Sequence, residues 1–407
     1  MIKSHYLQSA FKRCCLTFLF LSSLTSFNAR SSDFTVDGLS YTFLSLEDLT
    51  CEVSGWDDTG DGNVTIPAIV TYKGRDVSVI KIGNAFSSSD KLRSLTMSSS
   101  ILKIAPGAFQ DCHYLREVNL SEELTEIPMY AFDHCESLKS IIIPSKVQFI
   151  EYCAFQDCSN LVDIICGESL ENIGAYAFMG CVSLQNIDFR KVKGIGLDAF
   201  SGCKSLSDVI IPSTLEEIWS GAFYAITLES FKIEDSEQSI SIGYAGDYCT
   251  AKSCYFYIGR NIIKKGGDNQ LEVVDGGRLE LGKNATVLNN FLIKGWENIS
   301  FLISHNLTPP SIPEMSNSGY VNIEVRVPAE ALEAYKQAPV WKNFWNIKAI
   351  EDESGISDIE CDDDDSFQVY DTNGILVDAS CTSEKLQQFP HGIYIVVKQD
   401  KRLKIKI

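Results

Sequence analysis

Five regularly spaced cysteines are the side chains of this 407-residue chain that could most readily do chemistry. Each stands three residues after a phenylalanine, and the five are Cys112, Cys135, Cys158, Cys181 and Cys203. His113 and His134 each adjoin one of these cysteines, and an imidazole beside a thiol can produce a nucleophilic thiolate. One histidine follows its cysteine and the other precedes it, so the two should project differently. We therefore favour buried free thiols over a thiol enzyme acting through Cys112 or Cys135.

Disulfide pairing is the other chemistry open to cysteines in an exported protein. The repeated spacing points the five thiols the same way into a core, where free cysteine packs as a small apolar residue. Neighbouring coils could still lie within disulfide range, so spacing alone leaves pairing open. Cys249 and Cys254 fall outside the regular spacing and are the better disulfide candidates.

The acid- and glycine-rich stretch 57–63 has the composition of a calcium loop. Such a loop needs a bidentate glutamate at its twelfth position, where this chain has Ala68. A surface turn is therefore the favoured interpretation. The sequence also lacks zinc-binding, hydrolase and phosphate-loop motifs. It predicts no enzyme, no catalytic residue, no metal site and no cofactor.

The net charge of −19 restricts the classes of partner. Nucleic acids and anionic lipid surfaces need clustered lysine and arginine, so neither is expected as a ligand. A cationic or sugar-rich partner remains open. The alternative is that the acidic excess serves only to keep the protein soluble.

The five regularly spaced cysteines and the two histidines beside them belong to a 23-residue repeat, and the fold of this repeat must position their side chains. Ala–Phe pairs recur with this period, with one step of 22, and their phenylalanines are Phe86, Phe109, Phe132, Phe155, Phe178, Phe200 and Phe223. Isoleucine stands five residues before nearly all of them and leucine six residues after the first six. Apolar residues nine and eleven positions later alternate with polar ones, which predicts a short strand in each coil. Stacking these strands about 4.8 Å apart gives a mainly β solenoid, in which Phe132, Phe155 and Phe178 touch in series.

The unit A-F-x-x-C-x-x-L-x-x-[IV]-x-[IL] over residues 82–233 resembles the BspA-like leucine-rich repeat family. The resemblance implies a leucine-rich repeat solenoid of about 23-residue coils with N- and C-terminal caps. It also implies a binding or adhesion module directed at host or neighbouring-cell macromolecules.

The flanks suggest six segments. They are a signal peptide at 1–29, an N-terminal β cap at 30–80, the regular solenoid at 81–233, irregular repeats with a C-terminal cap at 234–350, an acidic linker at 351–366, and a small C-terminal β domain at 367–407. The signal has a basic start and an apolar run too short to span a bilayer. Trp341, Phe344 and Trp345 are predicted to form an aromatic plug over the far end of the core.

The C-terminal segment resembles the sorting domain of type IX secretion substrates. The residues that carry this resemblance are Val369-Tyr370-Asp371, Gly374, Pro390, Gly392-Ile393-Tyr394 and the basic-apolar end at 404–407. A plain β tail without a sorting role is the alternative. Either way, we expect a bacterial protein that is secreted or displayed on the outer cell surface, with no transmembrane segment.

A partner is expected on the side chains that point away from the core, eight and ten residues after each phenylalanine. These candidate binding residues are Glu117, Asn119, Ser140, Ile142, Asp163, Ile165, Asn186, Asp188, Asp208 and Ile210. Apolar residues rimmed by polar ones can mark an interaction surface, although β-branched residues also simply favour strands. We predict a monomer that binds a protein or glycan ligand. The alternative function is a non-catalytic structural or assembly component of the cell envelope.

Overall fold

The computed structural model describes residues 32–58, 60–243, 250–265, 271–288, 293–294, 298–350, 367–370, 376–381, 393–398 and 401–406. The predicted signal peptide, the acidic linker and Cys249 lie outside these residues, as does the side chain of Cys254. The chain divides into two compact units, Met1–Lys348 and Ala349–Ile407.

The strands are numbered in chain order. In the first unit they are β1 (Phe34–Val36), β2 (Leu39–Ser45), β3 (Thr50–Trp56), β4 (Asn63–Ile66), β5 (Ile69–Tyr72), β6 (Arg75–Ile82), β7 (Ser94–Met97), β8 (Lys103–Ile104), β9 (Glu117–Asn119), β10 (Glu126–Ile127), β11 (Ser140–Ile142), β12 (Phe149–Ile150), β13 (Asp163–Ile165), β14 (Asn172–Ile173), β15 (Gly194–Ile195), β16 (Asp208–Ile211), β17 (Glu217–Ile218), β18 (Thr227–Ile233), β19 (Ile240–Gly243), β20 (Thr250–Arg260), β21 (Ile262–Lys265), β22 (Leu271–Asp275), β23 (Gly277–Asn284), β24 (Ile293–Lys294), β25 (Ile299–Ser304), β26 (Glu324–Val327) and β27 (Asn346–Ala349). The helices are α1 (Asn317–Asn322) and α2 (Leu332–Gln337), with 3₁₀ turns at Ala329–Ala331 and Trp341–Asn343.

Two parallel ladders run along the solenoid. The first comprises three sheets, β4-β7-β9, β11-β13 and β16-β18-β20-β23-β25-β26-β27, with β22 and β24 branching from β20. The second is β10-β12-β14-β15-β17-β19-β21, and the pair β6-β8 precedes it. Equivalent residues of successive coils are in register, as in the pairing of Ile141 with Ile164. The mainly β solenoid of about 23-residue coils is confirmed, and it contains a second strand per coil that the sequence did not predict.

A row of stacked aromatic rings forms the centre of the core. The seven repeat phenylalanines, here called the Phe stack, have centroids 5.2–5.6 Å apart and nearly parallel planes. Phe132, Phe155 and Phe178 touch in series, so this prediction is confirmed. Each ring is at most 5% exposed. Burying one phenylalanine contributes about 1.5–3 kcal/mol, and the repeat gains this contribution in every coil.

The Ala–Phe turns also hydrogen-bond from coil to coil. The N–H of Phe132 donates to the carbonyl of Ala154 at 2.8 Å, and Phe155 donates to Ala177 in the same way. Two residues of six of the seven turns have a left-handed backbone, one two positions before the phenylalanine and one two positions after it, and the turn at Phe86 has only the second. The first set is Gly107, Tyr130, Cys153, Tyr176, Asp198 and Gly221, and the second is Ser88, Asp111, His134, Asp157, Gly180, Gly202 and Ala225. These left-handed residues bend the chain sharply enough to close each coil.

Aromatic residues close both ends of the core. At the start, the ring of Trp56 lies 5.6 Å from that of Phe86. At the far end Trp341 is buried, and its Nε1 donates to the carbonyl of Pro310 at 2.7 Å. Trp345 is 79% exposed, so its predicted place in the plug is wrong. Phe344 is buried and extended, and the next side chain along extended backbone points to the opposite side.

Tyrosines complete the plug. Tyr335 contacts Trp341 edge-on at 4.7 Å, and Tyr320 contacts Phe344 at 5.2 Å. Both tyrosines are buried.

Among the described residues, no helix is both long and apolar enough to cross a membrane.

The second unit contains an antiparallel sheet. Its strands are β28 (Phe367–Tyr370), β29 (Leu376–Cys381), β30 (Ile393–Lys398) and β31 (Lys401–Lys406), in the order β29-β28-β30-β31.

Candidate functional site

The five repeat cysteines are buried free thiols, as predicted. Each Sγ donates to the carbonyl of the repeat phenylalanine one coil earlier, at 2.9–3.2 Å. Burial raises the pKa of the Cys112 and Cys203 thiols to about 12 and that of the Cys135 thiol well above its usual range. Thiols in this environment are not nucleophilic thiolates. Their role is to satisfy a backbone carbonyl that faces the core.

The two histidines beside these cysteines face carboxylates instead of thiols. His134 Nδ1 lies 2.7 Å from Asp133 Oδ1, and its Nε2 lies 3.5 Å from Asp157 Oδ2. Burial opposes protonation of His134, but the neighbouring carboxylates outweigh it and raise its pKa. His113 Nδ1 lies 3.6 Å from Glu136 Oε1. The structure therefore gives no support to a thiol–imidazole pair.

Hydrogen bonds within the acidic stretch at 57–63 and from Lys91 hold its described residues. Asp61 Oδ1 accepts from the N–H of Asn63 at 2.9 Å, and Lys91 Nζ donates to the carbonyl of Asp58 at 2.8 Å. These contacts make a turn in the N-terminal cap. Within the described part of the chain, no three histidine, cysteine or carboxylate side chains come together as metal ligands.

All ten candidate binding residues lie on one exposed surface. We call this surface the strand face and define it as the exposed side chains of the first ladder. Ser140 pairs with Asp163 and Ile142 with Ile165, so equivalent residues form rows across the strands. The side chains of Ile142 and Ile165 are each 61% exposed, and that of Ile210 is 53% exposed. The remaining members, Glu117, Asn119, Asn186, Asp188 and Asp208, are also exposed.

Some members of the strand face contact polar neighbours. Asp188 Oδ1 accepts from the N–H of Arg190 at 2.9 Å, and Ser207 Oγ donates to Asp208 Oδ2 at 2.8 Å. Asn119 Nδ2 donates to Thr96 Oγ1 at 3.2 Å. These contacts orient the carboxylates and the amide, while Ile142 and Ile165 lie side by side and exposed on neighbouring strands.

The strand face continues past Phe223 into coils that contain none of the ten candidate residues. Register carries one row from Ile210 through Lys232 and Tyr257 to Glu280. The parallel row runs from Asp208 through Ser230, Tyr255 and Arg278 to Phe301. The alternation of outward residues within β20 and β23 was the available signal. It was missed because the Ala–Phe pairs that set the register end at Phe223.

Side chains of the later rows pair with one another. Glu280 Oε1 lies 2.6 Å from His305 Nε2, while its Oε2 accepts from Tyr255 Oη at 3.0 Å and Arg278 Nη2 at 3.1 Å. The His305 hydrogen bond is the main cause that lowers the pKa of Glu280. The carboxylate therefore stays ionised at neutral pH, in contact with three neighbouring side chains.

Comparison with known protein families identifies the repeats. Residues 80–193 and 125–252 match the BspA type leucine rich repeat region, in six copies. This part of the chain therefore carries BspA-type leucine-rich repeats, as the sequence resemblance implied. A search of curated proteins found no match.

Solved leucine-rich repeat structures are similar to this chain. One from Bacteroides ovatus is 21% identical, with a TM-score of 0.47, and the match covers 78% of this chain and 100% of that one. One from T. pallidum is 26% identical, with a TM-score of 0.39 and coverage of 46% and 86%. A leucine rich cell surface protein from Faecalibacterium prausnitzii is 18% identical, with a TM-score of 0.43 and coverage of 78% and 94%.

Proposed function

We propose that this protein is a secreted or cell-surface binding protein whose strand face binds a protein or glycan of a host or neighbouring cell. The observation that carries the proposal is the broken row of exposed isoleucines at 142, 165 and 210, in which Asp188 occupies the position between the last two. Exposed apolar side chains rimmed by polar ones are typical of interaction surfaces. The β-branched shape alone would favour these residues in strands, so mutation has to separate the two explanations.

Charge on the same face favours a basic partner surface. Asp163, Asp188 and Asp208 flank the isoleucines, and the whole chain has a net charge of −19. Complementary charges accelerate encounter and disfavour partners of the same sign. The apolar row would then supply most of the buried area, and the carboxylates the orientation.

Charge reversal tests the face. The mature chain, immobilised, is used to capture ligands from host-cell extracts and from a glycan array. We expect the triple variant Asp163→Lys/Asp188→Lys/Asp208→Lys to lose binding. A control variant with the same charge change, Glu122→Lys/Glu126→Lys/Glu168→Lys, alters exposed residues outside the ten and should bind as before. Equal binding by both variants would remove the strand face as the site.

The terminal segments supply the proposed route to the surface. The basic and apolar pattern of residues 1–29 supports export, and the motifs in 369–407 support type IX sorting. Cell fractionation of the full chain and of a chain lacking 367–407 tests both. We expect the full chain outside the cell and the truncated chain retained inside the envelope. Identical distributions would leave the C-terminal unit as a plain β tail.

A further inference from the structure

An open cleft of about 440 Å³ lies at one edge of the strand face in the later coils. Its volume is within the range of sites for small ligands. The residues that line it define the Tyr257 cleft, and they are Asp235, Tyr257, Glu280, Lys283, Asn284 and His305. None of them belongs to the ten candidate residues of the earlier coils.

Three successive parallel strands bring these side chains together. Asp235 follows β18, Tyr257 lies in β20, and β23 supplies Glu280. Gly282 allows two of these side chains to approach the backbone closely, because a Cβ on Gly282 would lie 2.5 Å from Asp235 Oδ1 and 2.6 Å from Tyr257 Oη. The buried side chain of Asn306 holds the backbone at Gly282, with Nδ2 donating to the Gly282 carbonyl at 2.9 Å. This hydrogen bond positions the backbone next to Lys283 and Asn284, two residues that line the cleft.

Internal pairing fixes two walls of the cleft. Tyr257 Oη donates to Asp235 Oδ2 at 2.5 Å, and His305 holds Glu280 as described above. Three other groups make no hydrogen bond or ion pair with described residues. They are Asp235 Oδ1, Lys283 Nζ and the side-chain amide of Asn284. The cleft thus presents a carboxylate acceptor, a cationic donor and an amide that can do both.

This mixture of groups selects the class of ligand. An anion would meet the carboxylates of Asp235 and Glu280. A cation would meet Lys283, and also Lys232, whose Nζ lies 5.6 Å from the Tyr257 ring centroid. A hydroxyl group both donates and accepts, so a neutral ligand with several hydroxyls can use all three free groups without facing a like charge.

We propose that the Tyr257 cleft binds a neutral sugar unit of a polysaccharide. Sugar hydroxyls donate to Asp235 and accept from Lys283, and Asn284 completes the set. The proposal goes beyond binding by the earlier coils and does not depend on it, since it uses none of the residues 117–210.

Affinity electrophoresis of the full mature chain tests the proposal. Native gels contain one of four neutral polysaccharides, namely mannan, xylan, galactan or a β-glucan, and parallel gels contain heparin or chitosan. The test variant is Asp235→Asn/Lys283→Met. Asparagine keeps an acceptor for Tyr257 Oη, and the two changes cancel in net charge. The matched control is Glu237→Gln/Lys204→Met, which has the same net charge and alters exposed residues outside the cleft.

We expect at least one neutral polysaccharide to retard the wild-type chain and the control. The double variant should bind at least tenfold more weakly, because hydrogen bonds to charged groups are the strong ones. Retardation should persist at about 0.5 M salt, where attraction between exposed charges is screened. The proposal is wrong if no neutral polysaccharide retards the chain, if only heparin or chitosan does, or if the double variant behaves like wild type.

The strand-face triple variant separates this proposal from the preceding one. Asp163→Lys/Asp188→Lys/Asp208→Lys should keep its retardation by the neutral polysaccharide while losing the partner of the earlier coils. Loss of retardation in this variant would contradict a separate cleft.

Discussion

The coils up to Phe223 and the coils after it share the same two parallel ladders. The side-chain contacts that hold successive coils together differ between the two regions. In the earlier coils, the Phe stack and the five thiols repeat one set of contacts, and Cys135 and Cys158 bond to the coil before them in the same way. The later coils also contain contacts made by one particular buried side chain. Arg260, for example, is 1% exposed and donates to the carbonyls of Pro212 and Ser213, two coils earlier.

We infer that the contacts of the early coils mainly provide stability, whereas the later coils provide a varied surface for recognition. A repeated contact adds the same contribution in each coil, so the stability of the early region is nearly a sum of equal terms. Its outer surface carries a simple row of isoleucines and carboxylates. The later coils vary in length, and this variation makes room for a cleft with several kinds of polar group.

Removing one ring from the Phe stack should give the largest loss. Phe155 is fully buried between Phe132 and Phe178. Phe155→Ala should lower the free energy of unfolding by about 3–5 kcal/mol, since it removes the ring and leaves a cavity. Phe149→Ala, in the same coil, is the control because this ring is 37% exposed. Urea denaturation followed by circular dichroism measures both. Equal losses would show that the stack does not dominate the early coils.

Alkaline pH should lower the stability of the early coils, because their buried thiols stay protonated in the folded chain and ionise in the unfolded chain. Burial holds the pKa of Cys112 and Cys203 at about 12, whereas an unfolded thiol titrates near 8.5–9. Above pH 9 the unfolded chain releases protons that the folded chain keeps, so stability falls as pH rises. At pH 10 the loss is about 1.4–2 kcal/mol for each of these thiols.

A serine variant isolates this contribution. In Cys112→Ser/Cys203→Ser the hydroxyls can still donate to the phenylalanine carbonyls, but they do not ionise. Thermal melts from pH 7 to 10 should show a shallower fall for the variant than for wild type. Parallel curves would mean that the two thiols titrate normally in the folded protein.

A single buried hydroxyl should matter in the later coils. Tyr335 Oη lies 2.6 Å from Ser304 Oγ and donates to the carbonyl of Asn306 at 2.9 Å. Tyr335→Phe leaves buried polar groups without this partner and should cost about 1–2 kcal/mol. Tyr114→Phe changes a tyrosine that is 53% exposed and serves as the control. Equal melting temperatures for the two variants would show that this buried hydroxyl does not stabilise the later coils.

The repeat could be predicted from sequence because its signal is strong and redundant. The Phe stack follows from seven copies in register, and the burial of the cysteines follows from the same period. The second ladder could not be predicted, since strands such as Asn172–Ile173 are two residues long and too short to show a period. Trp345 was misassigned because composition identifies an aromatic plug but not which neighbour points outward.

The candidate site divides in the same way. The ten residues of the earlier strand face could be placed because alternation around each repeated strand fixes which side chains point outward. The Tyr257 cleft could not be found by this route. It depends on register across β18, β20 and β23, where the interval between equivalent residues changes from Ile210 to Lys232 and on to Tyr257. It also depends on the absence of a side chain at Gly282, which has no signature in the sequence alone.

The smallest effect on stability should come from substitutions at the left-handed turn position where the two regions meet. Removing a glycine there should lower stability, and introducing one should raise it. Gly202 and Ala225 occupy this position in successive coils, with φ of 75° and 57°. Gly202→Ala should cost about 1 kcal/mol, and its cause is backbone strain because a Cβ there has no neighbour closer than 3.9 Å. Ala225→Gly relieves the same strain, but glycine also gains freedom in the unfolded chain, so the net gain should be at most about 1 kcal/mol. Opposite shifts in melting temperature would show that this turn geometry is required up to the last regular coil. Shifts of the same sign would place the end of the regular repeat before Ala225.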